Sequence, residues 1–116
     1  MKKLFVTMIA LLLSVMALTA CAPAKATVDI GIVLPTRDEP RWIQDETRFK
    51  DALEDSGYSV EILFSQGSTA TELANVETLL AKGIKVLIIT AQDGDAAGAA
   101  VEKAKAEGVT VIAYDR

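Results

Sequence analysis

Two short polar segments, far apart in the sequence, carry side chains suited to several hydrogen bonds at once. The first is Arg37–Trp42, which follows the apolar run Val28–Leu34, and the second is Tyr114–Arg116, which follows Val109–Ala113. Each segment lies where a buried strand would leave its sheet. Because parallel strands end at the same edge of a sheet, we expect both segments to face one crevice.

The residue types in these segments fit a ring of hydroxyl groups. Arg41 and Arg116 are planar donors, Asp115 is a double acceptor and Trp42 is a flat apolar surface. A sugar has hydroxyls that donate and accept and C–H faces that stack on indole, and charged partners make its stronger hydrogen bonds. The same arginines could hold an anionic ligand. Trp42 could equally belong to the core, and Asp115 could be an ordinary polar strand end.

The composition excludes several kinds of chemistry. The chain has no histidine and one cysteine, Cys21, which removes histidine bases, Ser-His-Asp triads, disulfides and most zinc sites. No glycine-rich phosphate fingerprint opens the first helix, because Gly31 lies inside the first strand. We therefore expect no enzyme activity, no cofactor and no metal. An enzyme that uses Asp93 or Asp115 on this type of sheet is the alternative.

The N-terminal segment, 1–21, has the features of an export signal. Lys2 and Lys3 precede the apolar run Leu4–Leu18, which is short for a membrane span. Leu18-Thr19-Ala20-Cys21 resembles the lipobox of bacterial lipoproteins, which implies that Cys21 is lipidated and anchors the chain outside the cytoplasm. An ordinary secretory signal or an uncleaved helix is the alternative. Residues 22–27 are small and polar and are predicted to form a tether, which leaves 28–116 as the folded domain.

The remaining chain is acidic. Of the 12 lysine and arginine residues, 10 remain after Lys2 and Lys3 are removed, against 16 aspartate and glutamate residues, a net charge of −6. An acidic domain that is exported is a poor partner for nucleic acid. We expect no nucleic acid among its ligands.

Apolar runs and helical patterns alternate along the rest of the chain. The order is β-α-β-α-β-α-β, with strands that begin near residues 28, 58, 84 and 109. A spacing of about 25 to 30 residues predicts right-handed βαβ units and an α/β fold with a doubly wound parallel sheet. A strand order of 2-1-3-4 would place a switch point between strands 1 and 3. The residues there are Arg37–Trp42, Thr90–Asp93 and Asp115-Arg116, with the second strand, Tyr58–Phe64, at an edge.

Local signals predict how the helices begin and end. Thr69 and Glu72 fit a capping box, with Thr69 as the N-cap, and Leu73, Val76, Leu79 and Leu80 form the apolar stripe that follows. Asp93 and Asp95 suit a turn and helix cap as well as a ligand contact. Glycines are predicted to end the helices at Gly57, Gly83 and Gly108.

Four segments together resemble the periplasmic sugar-binding proteins of ABC transporters, closest to the xylose and multiple-monosaccharide branch. These segments are Pro40-Arg41-Trp42, Gly83 to Ile89, Gln92-Asp93-Gly94 and Val111 to Arg116. The resemblance covers residues 28–116 and implies two similar α/β lobes that close on a monosaccharide. It also implies an ABC permease as partner, with a chemoreceptor or sensor kinase as a further one.

The resemblance assigns site residues by position. It implies ligand contacts at Arg41, Trp42, Thr90, Asp115 and Arg116, with Glu39 at a place where related ribose binders carry a polar contact. Members of this family continue well past the Asp-Arg pair, so the chain corresponds to part of an N-terminal lobe and is expected to bind little sugar alone. The alternatives are a receptor on the same fold for a signalling furanose or a nucleoside, and the effector lobe of a transcription regulator.

Overall fold

The computed structural model describes residues 27–115. Four parallel strands alternate with three helices: β1 (Ile30–Leu34), α1 (Pro40–Leu53), β2 (Val60–Phe64), α2 (Thr69–Ala81), β3 (Val86–Ile89), α3 (Gly94–Ala106) and β4 (Thr110–Ala113). The strand order is β2-β1-β3-β4, so the predicted α/β fold, its order and the edge position of β2 are confirmed. The signal peptide, Cys21 and Arg116 lie outside the described residues.

The sheet is covered on both faces, which follows from the alternation of side chains along each strand. On one face, Ile32 and Leu34 pack with Trp42 of α1 and Phe64 of β2. On the other face, Val33, Leu87 and Ile89 pack against α2 and α3. The sheet therefore has one core cluster on each of its faces.

Helix ends follow the predicted chemistry with one correction. Gly57, Gly83 and Gly108 have φ of 76°, 83° and 78°, the left-handed conformation predicted for them. Gly83 and Gly108 follow α2 and α3 closely, whereas a short 3₁₀ helix, Glu54–Ser56, separates the end of α1 from Gly57. The prediction that Thr69 caps α2 is wrong by one residue. Ser68 is the N-cap, because its backbone is extended and its Oγ accepts a hydrogen bond from the backbone N–H of Thr71.

The predicted apolar stripe of α2 is also shifted. Leu73 is 37% exposed, whereas Val76, Leu79 and Leu80 are buried as predicted. Glu72, which is 1% exposed, occupies the position on the buried face that was predicted for Leu73. The stripe therefore begins with a carboxylate and not with leucine.

Gly31 lies where β1 passes closely under α2. A Cβ at this position would lie 2.8 Å from Leu79 Cδ1 and 3.1 Å from Ile84 Cδ1. We expect Gly31→Ala to lower the free energy of unfolding by about 1 to 3 kcal/mol, since added volume in a packed core forces neighbours to move. Urea denaturation followed by circular dichroism measures this change.

Gly98 provides the matched control for Gly31. It lies inside α3, and a Cβ there meets no atom within 4 Å. Gly98→Ala should raise the free energy of unfolding by about 0.5 to 1 kcal/mol, because alanine loses less conformational entropy in a helix. Equal effects of the two substitutions would show that the crowding beneath α2 does not matter.

Within residues 27–115, the helices are all too short or too polar to cross a membrane.

Candidate functional site

The candidate site is formed where β1, β3 and β4 end at one edge of the sheet. The register pairs Val33 with Ile89 and Ile89 with Ala113, so the loops after these strands emerge side by side. Pro40 starts α1 directly after the β1 loop, which suits proline because the first helical N–H needs no partner. This arrangement sets Arg41, in the first turn of α1, opposite the residues that follow β4.

Arg41 and Asp115 form an ion pair across this edge. The Arg41 Nη2 donates to Asp115 Oδ1, although the two residues are 74 positions apart in the chain. The Arg41 side chain is 53% exposed and that of Asp115 is 30% exposed, so both groups border solvent. The hydrogen bond to Asp115 raises the pKa of the Arg41 guanidinium above its ordinary value. The structure therefore brings together two of the predicted site residues.

Trp42 lies beneath Arg41. The guanidinium carbon of Arg41 is 4.5 Å from the centroid of the indole, a cation–π contact. The indole itself is 2% exposed and packs with Ile32, Leu34 and Phe64. The core interpretation of Trp42 thus describes this structure, in which the ring supports Arg41 and the guanidinium covers it on the side of the candidate site.

Asp115 follows β4 in an unusual backbone conformation. Its φ is 69°, in the left-handed region that aspartate tolerates better than most residues other than glycine. The preceding residue, Tyr114, stays tied to the sheet because its N–H donates to the Ile89 carbonyl and its ring packs edge-to-face on Phe49 at 5.1 Å. The chain therefore turns sharply at Asp115, which aims its carboxylate at Arg41.

Thr90 directly follows β3 at the same edge but is completely buried. Its backbone N–H donates to the Val33 carbonyl, while its Oγ1 has no hydrogen-bond partner among residues 27–115. Gln92 Oε1 is likewise buried and without a partner in that part of the chain. This edge thus holds two buried polar oxygens whose hydrogen bonds are not satisfied by the described residues.

Glu39 is the N-cap residue of α1 and is exposed. Its side chain makes no capping hydrogen bond, and its carbonyl accepts from the N–H of Trp42. Its position beside Arg41 leaves its carboxylate in solvent at the rim of the candidate site. Asp93 instead caps α3 by accepting a hydrogen bond from the Ala96 N–H at 2.8 Å, as the turn-and-cap interpretation predicted.

Arg37 lies in the same loop but is held away from Asp115. Its two terminal nitrogens donate to both carboxylate oxygens of Glu46 at 2.8 and 3.0 Å, and its guanidinium lies 4.0 Å from the Phe64 ring centroid. The hydrogen bonds from Arg37 and Lys50 lower the pKa of Glu46. Arg37 therefore fixes the β1–α1 loop against α1 and β2.

Sequence reasoning missed the role of Glu72. One of its carboxylate oxygens accepts a hydrogen bond from the backbone N–H of Gln92 at 2.7 Å, which ties α2 to the loop after β3. The available signal was an acidic residue in register with Val76 and Leu79 on the buried face of α2. Its partner is a backbone N–H beyond the next strand, which the sequence pattern does not indicate.

Two other features lie apart from this edge. A surface depression of about 390 Å³ at the far end of the sheet contains none of the candidate residues. It is lined by Lys50, Asp51, Leu53, Glu54, Tyr58 and Val60. Residues 27–115 contain no cluster of acidic side chains that could hold a metal ion.

A family profile described as "Periplasmic binding protein domain" matches residues 30–116. The chain belongs to this family of periplasmic binding proteins. It is 38% identical over 87 residues to the multiple sugar-binding periplasmic protein SbpA of Azospirillum brasilense, an overlap of 75% of this chain and 24% of that protein. It is 36% identical over 118 residues to the ribose import binding protein RbsB of Escherichia coli (strain K12), an overlap of 100% and 38%.

A solved structure shows the same relation. The carbohydrate transporter solute binding protein of Chloroflexus aurantiacus, in complex with D-glucose, is 69% identical with a TM-score of 0.73, over 78% of this chain and 26% of that one. The chain thus spans between about a quarter and two fifths of the length of these relatives. The suggested relation to the sugar-binding proteins of ABC transporters is confirmed at the level of the family.

Proposed function

We propose that this chain carries one side of a monosaccharide-binding site, as part of the N-terminal lobe of a binding protein that serves an ABC sugar importer. The observation that supports this most directly is the meeting of Arg41 and Asp115 at the carboxyl edge of the sheet. Ligands of open α/β sheets bind at this edge, at the point where the chain changes direction between β1 and β3.

Arg41 and Asp115 have complementary roles in this proposal. Arg41 donates from its guanidinium to ring or hydroxyl oxygens, and Asp115 accepts from hydroxyls, the charge-assisted bonds that sugars form best. In the structure Arg41 and Asp115 bind each other, so both side chains are already positioned at the site and neither charge lacks a partner. A hydroxyl that bonds to both groups satisfies them without separating the two charges.

The other predicted site residues are proposed to contact the sugar from the positions that the structure gives them. Thr90 would act through its Oγ1, which has no partner within residues 27–115, and Glu39 would act from the rim. Trp42 would stack on the sugar only after its side chain turns out of the core cluster. Arg116, which lies outside the described residues, would extend the donor set beyond Asp115.

We propose D-glucose or a similar hexose as the first ligand to test, with a xylose-like pentose next. The support is the 69% identity to a binding protein solved with D-glucose and the 38% identity to a multiple sugar-binding protein. The proposal describes a binding protein and not an enzyme. A signalling furanose or nucleoside on the same fold is the second candidate, since the ion pair alone does not select a ring.

The proposed setting is extracytoplasmic. Relatives such as SbpA are periplasmic proteins by name. The lipobox supports a lipid anchor at Cys21 that holds the protein at the outer face of a membrane, near its permease and any chemoreceptor or sensor kinase.

Isothermal calorimetry on two proteins tests the proposal. Residues 22–116 alone should give no measurable heat with D-glucose, because a ligand covered on one side keeps much of its water and the lobes cannot close. A chimera that joins these residues to the rest of the Chloroflexus aurantiacus relative should bind D-glucose. Arg41→Gln in the chimera should weaken binding by about 10- to 100-fold, the usual cost of a hydrogen bond to a charged group.

Lys50→Gln is the matched control, because Lys50 lies on the same helix, is exposed and pairs with Glu46, which does not contact Arg41 or Asp115. This variant should bind D-glucose like the parent chimera. Micromolar binding by residues 22–116 alone would contradict the half-site. Binding of a nucleoside but no sugar would favour the second candidate.

A further inference from the structure

Asp45 is a buried carboxylate on α1, one helical turn beyond Arg41. It is 3% exposed, and a buried charge is costly unless it has partners. Its Oδ1 accepts a hydrogen bond from Arg48 at 2.9 Å, whereas its Oδ2 accepts none from residues 27–115. The Oδ2 lies 3.9 Å from the Nε of Arg41, which is close enough for an ion pair. This oxygen therefore acts on Arg41 through charge alone.

The spacing along α1 brings these groups together. Residues three and four apart on a helix lie on the same face, so Asp45 meets Arg41 on one side and Arg48 on the other. Trp42 is buried on the same face, and the guanidinium of Arg41 lies over its indole. Asp45 and Trp42 thus contact the Arg41 side chain from within the protein.

Arg41 is paired with two carboxylates through different nitrogens. Its Nη2 donates to Asp115 at the edge of the candidate site, while its Nε lies near Asp45. The hydrogen bond with Asp115 is the main cause of the raised pKa of Arg41, and the charge of Asp45 raises this pKa further. The two carboxylates differ in burial, because the side chain of Asp45 is 4% exposed and that of Asp115 is 30% exposed.

We propose that Asp45 is a positioning residue for the sugar site, whose charge holds the Arg41 side chain with its Nη2 directed at Asp115 and the ligand. The inference rests on the proposed function, since Asp45 acts on the sugar only through Arg41. A sugar hydroxyl that bonds to Asp115 competes with Arg41 for that carboxylate. Asp45 is buried beyond the reach of the sugar, so it remains the partner of Arg41 when the ligand is bound.

A double-mutant cycle in the chimera with the Chloroflexus aurantiacus relative tests this role. Asp45→Asn keeps the size of the side chain and an oxygen that can accept from Arg48, but it removes the charge. It should raise the Kd for D-glucose by about 3- to 10-fold, less than Arg41→Gln does. When Arg41→Gln is already present, Asp45→Asn should raise the Kd no further. A merely structural role would weaken binding equally in both backgrounds.

Glu46→Gln is the matched control for the cycle. Glu46 is the neighbouring buried carboxylate of α1, and it pairs with Arg37 and Lys50. Its substitution should change the Kd by the same factor with and without Arg41→Gln, because sites that share no contact have additive effects. Coupling of Glu46 to Arg41 as strong as that of Asp45 would overturn the proposal.

Hydrogen exchange of the Arg41 Nε–H, followed by nuclear magnetic resonance, gives a second measurement that needs no ligand. Arg41→Gln identifies the signal, because the signal disappears in that variant. The negative charge of Asp45 repels hydroxide, the catalyst of this exchange, so Asp45→Asn should make the exchange several-fold faster. Arg48→Gln should make it slower, because Asp45 stays charged and loses its other cation.

The outcomes separate this inference from the proposed function. A parent chimera that binds no monosaccharide would overturn the proposed function and, with it, this role of Asp45. Sugar binding by the parent with additive effects of Asp45→Asn and Arg41→Gln would overturn this inference alone, as would an Arg41 exchange rate that Asp45→Asn leaves unchanged. If circular dichroism shows that Asp45→Asn is unfolded, Arg48→Gln decides: slower exchange supports the proposal and unchanged exchange overturns it.

Discussion

Trp42→Ala is expected to lower the free energy of unfolding by about 3 to 5 kcal/mol, because it removes a large, fully packed side chain from the core. Trp42 is 2% exposed and packs against Ile32, Leu34 and Phe64. A domain of this size is stable by only about 5 to 15 kcal/mol, so the variant should be close to unfolding at room temperature. Urea denaturation followed by far-ultraviolet circular dichroism measures the loss without the tryptophan as a probe.

Trp42→Phe is the control for this substitution. It keeps an aromatic ring in the cluster and should cost about 1 to 2 kcal/mol, because less volume is lost. The pair of variants separates the two interpretations of Trp42. A loss below about 1 kcal/mol for Trp42→Ala would mean that the indole is a surface for a ligand and not a member of the core.

The sequence predicted the fold well because the signals for it are local and repeated. Four apolar runs at regular spacing, each preceded by a glycine or a polar tether, define the βαβ units, and the right-handed crossover restricts how they assemble. The position of Arg41 near Asp115 also followed from this reasoning, since both residues come after strands that end at the same edge. Their contact is a consequence of topology, which the pattern of strands and helices encodes.

The sequence predicted the orientation of single side chains less well. Trp42 is apolar at a helical spacing that suits both a core residue and a ligand platform, and only the packing around Phe64 distinguishes them. Arg37 lies close to Arg41 in the sequence, yet a carboxylate at Glu46 and the ring of Phe64 draw it to the other side of the loop. The orientation of such a side chain depends on which partners lie nearest to it in space, and the sequence pattern does not show those partners.

The Glu72 carboxylate shows the same limit more clearly. A glutamate in the first turn after a polar cap is the expected pattern for a capping box, and the sequence was interpreted that way. In the structure Ser68 takes the cap, and Glu72 turns inward to accept from the Gln92 N–H. Glu72 thus places a carboxyl group on the buried face of α2, at the edge where Thr90 and Gln92 lie.

Glu72→Ala is therefore expected to lower the free energy of unfolding by about 2 to 3 kcal/mol. The substitution leaves the Gln92 N–H, which is partly buried, without this acceptor, and an unpaired donor in such a place costs about 1 to 3 kcal/mol. The loop of Thr90 and Gln92 should loosen with it. Amide hydrogen exchange at Gln92 should then become faster in the variant. The increase should exceed what the loss of global stability measured in urea explains, because the loop opens locally.

Two further variants decide whether the Gln92 contact is responsible. Glu72→Gln keeps an oxygen that can accept from Gln92 and should cost about 1 kcal/mol, with less change in the exchange of that amide. Glu77→Ala, on the exposed face of the same helix, removes a surface ion pair with Lys103 and should cost under about 1 kcal/mol. If Glu72→Ala cost no more than Glu77→Ala, Glu72 would not hold the β3–α3 loop. Thr90 would then owe its position at the candidate site to the sheet alone.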